Sequence, residues 1–270
     1  MAAFANSEQF LLHLLTSNIS QIILLLVGLA FQDRRGISVF PLSPIEILWA
    51  NLITSSFLAI GLGLEEASAD VMLRPPHSLS TGVFTTELIV DKFIYGGITG
   101  ILSLVCYVIV IVGVGNGDLG EDCNESYNET CDLAFKARGT AYAIMTVQIT
   151  LMALEAKHLT LGLFNMHTEG NVFTGFFRTL YKNKFLFWSS VVGMITPFPA
   201  VFIPVVNKTV FRHLPLTWEW ALVFGSSVLF VVLVEAWKAA KRVRRSRAER
   251  NHQVVNGEKQ VEKSEESSIV

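Results

Sequence analysis

The sequence predicts an all-α fold, a polytopic membrane helix bundle with six transmembrane helices and both termini cytoplasmic. Three observations carry that prediction. First, hydrophobic residues make up 51% of the 270 residues and charged ones only 16%, with a mean hydropathy of +0.47. That is too apolar for an ordinary soluble domain. Second, six apolar runs fall at 11–31, 45–64, 93–114, 139–156, 185–206 and 216–237, each near the ~20 residues a bilayer requires. Third, the loops 65–92 and 157–184 and the tail from 238 hold 15 Lys and Arg, against 6 in the other three loops. Positive charge stays inside, so the first group and the N-terminus are assigned to the cytoplasm.

Each run has its own character. The first, 11–31, is long enough to span; no signal peptide precedes it, because residues 1–10 carry no Lys or Arg. The second, 45–64, is polar for a span. The third opens with Gly96, Gly97 and Gly100; the Gly96/Gly100 spacing lets a neighbouring helix approach closely. The fourth, 139–156, is short. The fifth contains Pro197, Pro199 and Pro204, which kink or break a helix. The sixth leads into a basic run, Lys238 to Arg250, suited to anionic headgroups or to fixing orientation. Residues 251–270 are polar and charged, and are predicted to be disordered.

The loops on the outer side support the orientation. Asn124, Asn128 and Asn207 each begin an N-x-Ser/Thr acceptor, usable only in a lumenal or extracellular loop. Asn18 also matches but lies inside a span. Cys123 and Cys131 flank Asn124 and Asn128; a disulfide and two free thiols both fit that spacing. Cys106 sits in an apolar span and is expected only to pack.

The chemistry concentrates in the first two runs. Asn18 and Gln21 stand three residues apart within one; Asn51, Thr54 and Ser55 lie within the next. Residues at i, i+3 and i+4 share a helix face, so two neighbouring spans each carry an oxygen-rich stripe at mid-depth. Such groups are costly in hydrocarbon unless they face each other, water or an ion. Interhelical hydrogen bonding and a cation pathway both account for them. The fourth run adds Gln148, a ligand or an interhelical hydrogen-bonding group, and Glu155, a ligand or a cap at the cytoplasmic end beside Lys157. His13 is assigned to packing or to a solvated position rather than to a ligand role. Glu46, at the outer start of the second run, lines an outer mouth or sits among headgroups. No phosphate-binding glycine loop and no zinc-spaced Cys/His set occurs, and nothing points to nucleic acid.

Three segments resemble a known family: LLTSNISQ at 14–21, LSPIEILWANLITSSFLAIGLGLE at 42–65 and DVMLRPPH at 70–77. They are similar to the C-terminal membrane region of P-type cation-transporting ATPases, nearest the fungal-type sodium- or potassium-exporting pumps. The resemblance runs across nearly all of 5–240. It implies that residues 1–10 end a cytoplasmic stalk, that 11–237 form the membrane domain, and that 238–270 are a cytoplasmic tail. It implies ion ligands at Asn18, Asn51 and Thr54. Gln21 and Ser55 stand where calcium pumps carry glutamate and aspartate. A neutral oxygen cage suits Na⁺ or K⁺ better than Ca²⁺, which favours several charged oxygens.

The phosphorylated-aspartate motif DKTGT does not occur in the sequence. The resemblance therefore implies a C-terminal transport portion, whether from a split gene, a truncated reading frame or a separate short product. Such a portion is inactive alone, has no cofactor of its own, and meets ATP and Mg²⁺ only through the absent domains. Its expected partners are membrane lipid and the remaining segments of the pump, or a full-length pump. The plasma membrane is the expected location, with the endoplasmic reticulum the alternative. Two rival readings are a non-enzymatic regulator of a full-length pump and a Ca²⁺-pump fragment.

Overall fold

The structure, a computed structural model, describes residues 2–65, 85–124, 128–157 and 179–268. The DVMLRPPH segment lies outside the described residues. Among the described residues there are six long helices: α1 (Ala2–Gly28), α2 (Pro44–Gly63), α3 (Thr86–Gly115), α4 (Asp132–Ala156), α5 (Lys184–Phe202) and α6 (Glu219–Ser268). Among the described residues the sole β feature is an isolated bridge, Gln32 to Ser38, in the turn after α1.

Local chemistry sets the helix ends. Ser43 accepts from the Glu46 backbone N–H while Glu46 accepts from the Ser43 N–H, and Pro44 occupies the first turn. This reciprocal cap satisfies donors that a helix start leaves open. Thr85 and Asn183 cap α3 and α5 by accepting from Leu88 and Leu186. The proline-rich run breaks as its composition predicts. Helix runs from Lys184 to Ile195 and again from Pro197 to Phe202, and Ile203 is extended just before Pro204.

Hydrogen bonds between helix ends show the up-and-down order. At one end, Asn6 donates to the carbonyls of Gly63 and Glu65, and Asn183 to Gly61 O and the Glu65 carboxylate. Lys157 pairs with Glu65 at 2.9 Å, Lys238 with Glu155, and Lys241 with Asp91. The start of α1, the end of α2, the start of α3, the end of α4, the start of α5 and the later part of α6 therefore meet at a single end. At the other end Tyr107 reaches Val39 O, Arg138 reaches Phe40 O, and Glu46 meets His213.

Five described helices are long and apolar enough to cross a membrane: α1, α2, α3, α5 and α6. The remaining predicted span, the fourth at 139–156, corresponds to α4, which begins earlier, at Asp132, and is too polar to join them. Its 25 residues span ~37 Å, and it is the innermost helix, buried on all sides from Ala134 through most of its length. An inner helix faces protein instead of lipid, so it carries Thr140, Thr146 and Thr150, whose hydroxyls donate back to carbonyls four residues earlier. The outer helices turn Ile22, Leu26, Leu48, Leu52 and Val228 outward instead.

Small residues let the helices close. A Cβ on Gly96 would sit 2.7 Å from Ile19 and 3.0 Å from Thr16 O; one on Gly100 would sit 3.0 Å from Ile23 and Ser20 O. The glycine spacing in α3 is thus the seat of α1. Residues 251–268 continue α6 as helix. They are rich in Glu, Lys and Gln, which are good helix formers, and extending an existing helix needs no new nucleus.

Candidate functional site

The polar segment of α2 does not form an ordinary α-helix. Ala50–Ser55 is a π-helical turn, in which the Ser56 N–H bonds to Asn51 O. The Ser56 hydroxyl donates to the same carbonyl at 2.7 Å. A π turn inserts an extra residue, widens the helix locally and is frequent at functional sites. Nothing in the residue pattern signals it, because hydrophobic periodicity does not report which carbonyl a backbone N–H chooses.

Opposite this turn, α1 presents His13, Ser17 and Gln21, an i, i+4, i+8 row along one face. Gln21 and Asn51 exchange two hydrogen bonds, Nε2 to Oδ1 at 2.9 Å and Nδ2 to Oε1 at 3.0 Å. One turn away, Ser17 Oγ meets Ser55 Oγ at 3.0 Å. A further turn along, His13 lies against the Ser55 backbone carbonyl. The result is a ladder of neutral oxygen and nitrogen groups between two antiparallel helices, with no acidic side chain among its rungs.

Several members of the ladder have bonding capacity to spare. The Thr54 hydroxyl beside the ladder, and the Thr16 hydroxyl one residue before Ser17, are buried without a hydrogen-bond partner among the described residues. Each amide oxygen of the Gln21–Asn51 pair uses one lone pair for its partner and has a second. Buried polar groups normally find partners, and exceptions call for an explanation.

The expected cluster is only partly assembled. Gln21, Asn51 and Ser55 are joined by direct bonds, and Thr54 is buried beside them. Asn18 is not part of it. It is exposed on the bundle surface, because the α1–α2 contact follows the i, i+4 row through Ser17 and Gln21, which turns Asn18 about 100° away from Ser17. Ser17 is the rung that residue-type reasoning passed over; its four-residue spacing from Gln21 was the available signal.

The description "Cation transporting ATPase, C-terminus" matches residues 39–240. The chain is 45% identical over 243 residues to the sodium/potassium exporting P-type ATPase cta3 of Schizosaccharomyces pombe, covering 88% of this chain and 23% of that protein. It is 40% identical over 260 residues to the sodium/potassium exporting P-type ATPase 5 of Saccharomyces cerevisiae, covering 96% of this chain and 24% of that protein. A calcium-transporting ATPase of Bacillus subtilis is 25% identical over 227 residues. The chain belongs to the cation-transporting ATPase C-terminal family. It spans about a quarter of the length of the curated sodium/potassium-exporting relatives that it matches.

Within this P-type ATPase region the two fourth-run candidates have other duties. Gln148 Nε2 donates to Ser226 O at 3.3 Å, which ties α4 to α6. Glu155 is buried in an ion pair with Lys238, whose ammonium also bonds the Glu155 carbonyl. Neither residue bonds to the Gln21–Asn51 rung among the described residues, and Glu155 sits in a contact between α4 and α6. Charge pairing with α6, invisible in the α4 sequence, decides this.

The outer-loop candidates also separate. Cys123 and Cys131 are disulfide-bonded, with Cα atoms 5.4 Å apart. Cys106 is a buried free thiol. Asn207 is 1% exposed and donates to Val201 O at 2.8 Å, so this fold leaves no room for a glycan there. Asn124 is engaged on both sides of its amide, by Ser38 O and by Arg138, which again argues against modification. Asn128 caps the short turn at Thr130 and donates to Glu121 O.

Proposed function

We propose that this chain is the C-terminal transport portion of a P-type ATPase that exports monovalent cations, Na⁺ and/or K⁺, and that it contributes part of the intramembrane ion site. The observation that carries the proposal is the Gln21–Asn51, Ser17–Ser55 ladder at the π turn of α2. Its oxygens are uncharged, and a weakly charged cage favours a monovalent over a divalent ion. The sodium/potassium exporting relatives agree with that ion class. In this reading Asn18 completes the cage from the bundle surface, against a helix supplied by the rest of the pump. Phosphorylation and the use of ATP and Mg²⁺ belong to those other segments. Both chain ends lie on the cytoplasmic side, and the membrane is the plasma membrane.

The test is reconstitution with a polypeptide that supplies the nucleotide-binding and phosphorylation domains. ATP hydrolysis is then measured against Na⁺ and K⁺ concentration. Asn51→Ala or Gln21→Ala should raise the cation concentration for half-stimulation by about tenfold, equivalent to ~1.4 kcal/mol. An unchanged cation dependence in both variants would remove these residues from the site. Stimulation by Ca²⁺ instead would move the chain to the calcium-pump branch.

A further inference from the structure

The end of the bundle opposite the chain termini holds a cavity of about 460 Å³ that the ion ladder does not use. It opens where α2 begins at Pro44, beside the disulfide-bonded loop, at the boundary between the apolar spans and the polar turns. Leu25, Phe40, Leu42 and Ile47 form an apolar wall. Arg138 and Arg212 line the same space, and none of its described lining residues is acidic.

Both guanidinium groups have donors to give. Arg138 is 2% exposed. It donates from Nε to Phe40 O, from Nη1 to Cys123 O, and from Nη2 to Asn124 Oδ1. A guanidinium has five N–H groups, so two remain. The Arg212 side chain makes no hydrogen bond or ion pair among the described residues, its backbone N–H alone bonding Asn207 O, and its charge repels that of Arg138. It holds φ +57° at the end of the π turn Val206–Phe211. Glycine or asparagine fills that left-handed position at lower cost. The acidic group acting on Arg138 is Glu46, which is already engaged by His213 and the Ser43 N–H. Two positive charges thus converge on one cavity against a single carboxylate that is occupied elsewhere.

We propose that this cavity binds the phosphate group of a phospholipid, with Arg138 and Arg212 holding the phosphate oxygens and an acyl chain lying along Leu25 and Ile47. Guanidinium groups match phosphate oxygens in geometry and charge. The apolar wall supplies what inorganic phosphate could not use. The site is independent of the transport reading: it needs only a chain folded in a membrane.

The experiment uses the full 270-residue chain in detergent micelles, with bound lipid read by native mass spectrometry. The probes are dioleoylphosphatidylcholine, dioleoylglycerol with the same tails but no phosphate, and inorganic phosphate as competitor. Wild type should retain the phosphatidylcholine and not the dioleoylglycerol. Arg212→Gln, which removes one charge, should weaken retention about tenfold. Leu25→Trp, which fills the apolar half with both charges intact, should weaken it as well, so one failed fold does not remove the test. Equal retention of the two lipids, or unaltered retention in both variants, overturns the proposal. Complete displacement by inorganic phosphate at concentrations matching the lipid would overturn it in favour of a free-phosphate site.

Discussion

Removing the Gln21–Asn51 rung tests the ladder directly. The two amides exchange bonds at 2.9 and 3.0 Å, with Gln21 3% exposed and Asn51 half-buried. Interhelical hydrogen bonds in membranes average ~0.6 kcal/mol and reach ~1.7 kcal/mol. Two of them should therefore couple the residues by about 1–2 kcal/mol. The assay is a double-mutant cycle on Gln21→Ala and Asn51→Ala, with unfolding in mixed micelles followed by tryptophan fluorescence. Each single variant should lose ~1–3 kcal/mol, because its partner's amide is left unpaired, and the double variant should lose less than the sum. Asn18→Ala paired with Asn51→Ala is the control. Asn18 is exposed and outside the ladder, so that coupling should be near zero. A Gln21–Asn51 coupling within ~0.3 kcal/mol of zero, or one equal to the control, would refute the geometry.

Three further outcomes follow from named contacts. Gly96→Leu should destabilise the chain by ~1–3 kcal/mol through overlap with Ile19, while Gly97→Leu should be nearly neutral, because nothing lies within 4 Å of its Cβ position; thermal midpoints of the two distinguish them. Lys238→Met should cost ~3–5 kcal/mol by stranding the buried Glu155 carboxylate, and adding Glu155→Leu should recover most of that loss in the same unfolding assay. Arg138→Gln removes charge-assisted bonds to Phe40, Cys123 and Asn124, each worth ~1.5–3 kcal/mol, so limited proteolysis should cut the loop between α3 and α4 faster than in wild type.

Composition, run length and the positions of glycine and proline carried most of the architecture. The Gly96/Gly100 step, the break at Pro197 and the helix start at Pro44 follow from short-range rules, which act within a few residues and are visible as spacing. Gln21, Asn51 and Ser55 were legible as a cluster for the same reason: they are polar residues in apolar runs, and hydrocarbon forces such groups together. Asn18 stands apart from the rung because i and i+3 share a face only broadly, and the contact follows the i, i+4 row instead. Glu155 was ambiguous because its partner, Lys238, lies 83 residues away.

By itself, then, the amino-acid order determined that this is a membrane helix bundle of the cation-pump kind, with an uncharged polar stripe on each of its first two helices. Those are properties of single segments meeting a solvent. Tertiary structure alone decided that α4 is the innermost helix, that α2 unwinds into a π turn at Asn51, that Asn18 faces outward, and that Arg138 and Arg212 converge on one cavity. Each of those depends on which distant helix supplies the neighbouring surface, and no local pattern encodes the identity of that neighbour.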